Sequence, residues 1–150
     1  MKWIWIGVLG LAAIVALVAI IGSTLPRTHI ASRTLRVRRA PQDVWPIVTQ
    51  LMASSSVPVD VIESDAPRRL VSRVKESEKM FGGTWTVLLA PADTPSTGSA
   101  STVTITEDGW VANPIFRFVS RFIIGHHATM DGILTDVAKT LGEEPVLSGE

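Results

Sequence analysis

Residues 3–22, WIWIGVLGLAAIVALVAIIG, carry no charge and no polar side-chain group apart from two indole N–H donors. At about 1.5 Å per residue such a run makes a helix about 30 Å long, the thickness of a bilayer's hydrocarbon core. A cleaved signal peptide has an apolar core of about 7–15 residues and a small-x-small cleavage site. This run is longer, and Ile20-Ile21-Gly22 lacks the small residue at the third position back. Residues 1–24 therefore read as an uncleaved membrane anchor. Trp3 and Trp5 suit the headgroup level. Gly7 and Gly10 are tolerated in such a helix but do not make the GxxxG association motif. Lys2 precedes the span, whereas Arg27, Arg33, Arg36, Arg38 and Arg39 follow it. This asymmetry predicts a cell-membrane protein whose carboxy-terminal domain is cytoplasmic.

Beyond the anchor remain about 126 residues, enough for one domain with a modest core. They carry 13 basic and 14 acidic groups. That balance argues against a broad nucleic-acid-binding surface, which needs clustered positive charge. Cysteine is absent, which excludes disulfides, thiolate zinc sites and thiol nucleophiles.

Local patterns give the order of elements. His29–Arg38 partly alternates, with Ala31, Leu35 and Val37 on one side and Ser32, Thr34, Arg36 and Arg38 on the other, as in a half-buried strand. Pro41 opens a helix over Gln42–Met52, where Val44, Ile47, Val48 and Leu51 recur at helical spacing; Pro46 should bend or shorten it. Four strands are expected next, at Val57–Ser64, Arg69–Ser77, Thr84–Ala90 and Ser101–Asp108. Their inner faces are marked by Val57, Val59 and Val61, by Leu70 and Val74, by Trp85, Val87 and Leu89, and by Val103 and Ile105. Ala66-Pro67, Gly82-Gly83 and Asp108-Gly109 read as turns, and 91–100 as a hairpin loop. Asn113-Pro114 caps a final helix. Apolar positions 115, 119, 122, 130, 133, 137 and 141, with position 126 on the same face, predict one amphipathic helix of about eight turns, with Arg117, Arg121 and Lys139 outward. Gly142 ends it, and 143–150 is expected to fray.

This order resembles the helix-grip fold of the SRPBCC superfamily, which includes START/Bet v 1-like and polyketide cyclase/dehydrase-like proteins. Arg39-Ala-Pro-Gln-Asp-Val-Trp45 looks like that superfamily's strand-to-helix junction. The string from Ile105-Thr-Glu-Asp-Gly109 through Asn113-Pro-Ile-Phe-Arg-Phe-Val-Ser-Arg-Phe122 to Gly125-His126 and Met130-Asp131 is similar to a membrane-anchored bacterial subgroup. The resemblance implies an α+β helix-grip domain over 25–142, with an antiparallel sheet wrapped on a long carboxy-terminal helix, between the anchor and a flexible tail at 143–150. Only Ala53–Ser56 separates the first helix of this domain from the next strand, where such domains usually add a helix and two strands. The grip is therefore expected to be shortened and its cavity small.

Such a domain implies a small hydrophobic ligand or lipid held between sheet and last helix, with the membrane as the other partner. The candidate lining is Trp85, Val87, Val103, Ile105, Phe122, His126 and Met130. His126, in the middle of the apolar arc, is open to two readings: a polar or acid–base group in a pocket, or a hydrogen-bonded core histidine. His127 and Asp131, at i,i+4, read as a helix-surface pair. Glu107-Asp108 reads as turn chemistry rather than paired catalytic carboxylates. Trp45, Trp85 and Trp110 suit a pocket wall or plain core. No metal-ligand spacing, nucleotide loop or nucleophile elbow is present, so no cofactor, metal or catalytic residue is assigned. Two alternatives accompany the binding module: a cyclase/aromatase-type enzyme using His126, and a partner-binding membrane protein whose cavity is lost.

Overall fold

The computed structural model describes residues 2–55, 57–75, 80–92, 99–125 and 127–149. Helix α1 (Lys2–Thr24) leads into strand β1 (Thr28–Val37) and helix α2 (Pro41–Ala53). Strands β2 (Val59–Asp65), β3 (Arg69–Val74), β4 (Phe81–Ala92) and β5 (Ala100–Val111) follow. Helix α3 (Pro114–Val119), a π-helical turn (Ser120–Ile124), helix α4 (Ala128–Thr140) and a two-residue strand β6 (Leu147–Ser148) complete the chain. The strands form one antiparallel sheet in the order β2-β3-β4-β5-β1-β6.

Register explains the core. Leu35 on β1, Val103 on β5 and Leu89 on β4 lie in one row across the sheet, and Arg33, Ile105, Val87 and Leu70 form the next. All of these except Arg33 are buried. Helices α2 and α4 pack against each other and cover this face with Val44, Val48, Met52, Met130, Leu134 and Val137. Each contributes a helical stripe to a sheet face of period two, the usual way two layers bury one core. The α+β architecture with an open six-stranded sheet is consistent with a helix grip.

Several local expectations hold. Pro41 occupies the first turn of α2. The Asn113 side chain accepts from the backbone N–H groups of Ile115 and Phe116. Gly142 takes φ +72° just past α4. Pro46 does not shorten α2, which continues to Ala53. Lying early in the helix, it forfeits a single donor while Val44, Val48 and Met52 still bury their stripe.

Other expectations are corrected. The single last helix is broken: Gly125 has φ +79°, outside helical space, between the π turn and α4. The 3.6-residue period continues across the break only by coincidence of spacing. Gly82-Gly83 and Asp108-Gly109 are not turns but partners inside the β4–β5 ladder, where Gly82 faces Trp110 and Gly83 faces Gly109. Val61 on edge strand β2 is 59% exposed, beside a register shift between Val61 and Glu63. At the sheet edge its place in the alternation does not translate into burial. The carboxy-terminal segment is tied down: Leu147 and Ser148 pair with Leu35 and Thr34, and the Glu143 carboxylate accepts from the Arg38 backbone N–H at 3.0 Å. Most of the expected 91–100 loop lies outside the described residues.

Candidate functional site

The inner rows of the sheet change character toward the end that meets α3. After the Arg33–Ile105–Val87 row comes Ala31–Glu107–Trp85–Ser72, and then His29–Gly109–Gly83. Aliphatic filling is thus replaced first by a carboxylate and an indole, then by an imidazole and two glycines. The glycines are required by close approach. A Cβ on Gly109 would stand 2.7 Å from His29 Cε1, and one on Gly83, at φ +151°, 2.4 Å from the Asp108 carbonyl oxygen. A Cβ on Gly82 would meet the Trp110 ring at 2.9 Å. The last row carries one side chain, that of His29, and space opens beside it.

That space is a cavity of about 260 Å³ between β4–β5 and the α3–π segment. Its walls include Trp85, Trp110, Phe81, Phe116 and Ile124, with His29 and Glu107 as the ionisable groups. It falls just short of the usual range of about 300–1,000 Å³ for small-molecule sites. His29 Nε2 lies 3.5 Å from Glu107 Oε1, both side chains being about one-fifth exposed at 18% and 22%. Trp85 is 2% exposed, and its indole Nε1 is buried without a hydrogen-bond partner among the described residues. Buried donors are normally paired, and this one belongs to a residue that lines the cavity. A larger, more open groove of about 410 Å³ runs between the end of α2 and α4. Its lining includes none of the unpartnered buried polar atoms found among the described residues.

The expected lining residues separate. Trp85, Val87, Val103, Ile105 and Met130 come together in the main core cluster, and of these only Trp85 also faces the 260 Å³ cavity. Phe122 stands apart, exposed, its ring 5.0 Å from that of Phe118. His126 lies outside the described residues. Asp131 does not serve His127 as expected: its carboxylate accepts from Arg33 Nε on β1 at 3.0 Å. His127 Nδ1 is buried without a partner among the described residues. Trp45, on α2, packs against the core rather than in the cavity. Among the described residues, no three His, Asp or Glu side chains converge as a metal site requires.

His29 and Glu107 were not singled out as a pair by the sequence. They belong to different strands, and only the β1–β5 register brings them together. Arg117 is a second surprise. Expected on a solvated face, it is 8% exposed, donating from Nη1 to the Leu25 carbonyl at 2.8 Å and from Nη2 to that of Ala112 at 3.1 Å. Helical periodicity marks the side of α3 that meets the sheet and is blind to α1, which packs on the other side.

No family model matches the chain, and no curated protein matches it. Solved structures do. The chain is similar to a conserved protein from Geobacillus kaustophilus, with TM-score 0.56 and 10% identity over 79% of this chain and 99% of that one. It is also matched to the di-domain ARO/CYC BexL from the BE-7585A biosynthetic pathway, with TM-score 0.39 and 14% identity over 81% of this chain and 49% of that one. At 10% identity the first likeness speaks for the fold alone.

Proposed function

We propose that this chain is a single-pass membrane-anchored domain of the SRPBCC type that binds a small apolar ligand in the 260 Å³ cavity. The observation that carries the reading is the buried N–H of the cavity-lining Trp85, without a hydrogen-bond partner among the described residues. A ligand with one acceptor and an apolar body would satisfy it, and leaving such a donor unmade is costly.

The anchor half rests on α1. It has 23 residues, and no residue in its most apolar stretch is buried. Exposed apolar surface on this scale is suited to lipid. The covered positions of α1 are Val18, Ala19, Ile21 and Gly22, near its carboxyl end, and α3 packs against the helix. The α3–π segment would therefore lie at the bilayer surface, with exposed Phe116, Phe122, Ile123 and Ile124 at the level of headgroups and upper acyl chains. Arginines after the span favour a cytoplasmic domain.

Native mass spectrometry of the detergent-purified full chain tests the binding reading. An apolar adduct should be retained, and Trp85→Phe, which keeps the ring but removes the donor, should weaken retention about two- to tenfold. Absence of any adduct, even after incubation with a lipid extract, would overturn it. A second reading, proton transfer of the cyclase/aromatase type, is favoured by the His29–Glu107 pair on the same wall. It requires that His29→Gln abolish turnover while leaving adduct retention intact.

A further inference from the structure

A second cavity, of about 150 Å³, adjoins the first and shares His29, Val111 and Ser120 with it. It is bordered by Arg27, Arg117 and Arg121, where the chain leaves α1. Among the described residues no carboxylate forms an ion pair with any of the three. Arg117 is the informative member. Its guanidinium is more than nine-tenths buried, two of its nitrogens donate to backbone carbonyls, and its Nε has no partner among the described residues. Carbonyls satisfy donors but do not neutralise charge, and a buried cation without a counter-anion is strongly disfavoured. Glu107, the carboxylate on the wall of the larger cavity, already faces His29.

We propose that the two cavities form one site for an anionic amphiphile. Its phosphate- or carboxylate-like head lies among Arg27, Arg117 and Arg121, and its apolar tail runs toward Trp85, Trp110 and Phe116. Guanidinium groups bind such heads through charge-assisted and often bidentate hydrogen bonds. The inference rests on the apolar-cavity reading above and adds the head to it. Position fits the source: the basic cavity sits at Leu25–His29, directly after the anchor, so a single-chain anionic lipid in the adjacent leaflet could enter head-level first.

The test uses the full chain in nanodiscs of phosphatidylcholine, labelled with a photoactivatable dodecyl phosphate, with labelled peptides located by mass spectrometry. Dodecyl phosphate, dodecanol and inorganic phosphate then compete for labelling of the peptides bearing Trp85, Trp110 and Phe116. Dodecyl phosphate should halve labelling at a concentration at least about tenfold below that of dodecanol. Inorganic phosphate at that concentration should do nothing. Arg27→Gln and Arg121→Gln, at exposed positions where folding is not at stake, should each weaken dodecyl phosphate about two- to fivefold and leave dodecanol unchanged. Equal potency of phosphate ester and alcohol, or indifference to both arginine variants, would overturn the headgroup assignment and leave the apolar cavity standing. Inorganic phosphate competing as well as the ester would make this a free-anion site and overturn the amphiphile. No displaceable labelling by either amphiphile would overturn the cavity reading and this inference with it.

Discussion

Gly22 of α1 and Pro114 of α3 touch backbone to backbone: a Cβ on Gly22 would stand 1.9 Å from the Pro114 carbonyl oxygen. No side chain fits there, so α1 and the domain are fastened where α3 begins. Gly22→Ala should force α3 away from α1 and destabilise the protein by about 1–3 kcal/mol, the usual cost of overpacking. Gly10, where an added Cβ would meet nothing within 4 Å, serves as the control. Thermal unfolding of the two alanine variants in the same detergent checks this, with only Gly22→Ala lowering Tm.

Ser72 lies beside Trp85 in the β3–β4 register, fully buried, its Oγ without a partner among the described residues. A buried hydroxyl that makes no hydrogen bond contributes only its desolvation penalty, about 1–3 kcal/mol. Ser72→Ala removes that penalty at the cost of one small atom's packing. The ligand-free protein should be unchanged or more stable by up to about 1 kcal/mol. Denaturant midpoints compared at constant slope decide the matter, and a loss of stability would mean that the hydroxyl is bonded.

Val15 lies on the uncovered length of α1. If α1 spans a bilayer, Val15→Arg should cost about 2.5–3.5 kcal/mol of insertion free energy, less what snorkelling relieves. Fractionation should then shift protein out of the membrane pellet, whereas a soluble wild-type chain would refute the anchor. Sidedness follows from Ser64→Cys, at an exposed position of a chain without cysteine. An impermeant thiol reagent should leave it unmodified in intact cells and modify it after lysis.

Much of the fold was legible because its signals are local. The α1 segment announces itself by length and lack of charge. Alternation marked Ala31, Leu35 and Val37 and also Trp85, Val87 and Leu89, all of them buried. Proline and asparagine at 41 and 113–114 fixed two helix starts. Periodicity missed Arg33, which shares the inner face of β1 and is tolerated there because Asp131 on α4 meets it at 3.0 Å.

The candidate site was far less legible, and the reason is physical. A glycine pair looks the same in sequence whether it turns the chain or lies in a ladder; here β4 pairs with β5 through Gly82 and Gly83, and Gly82 lines the cavity. His29 and Glu107 meet only through the β1–β5 register. Arg117 is buried where α1 packs on α3 and the Leu25 carbonyl accepts from it, contacts between segments far apart in the chain. Periodicity reports which face of one element is apolar. What stands opposite that face, and what space is left between, is set by the packing of all the elements together.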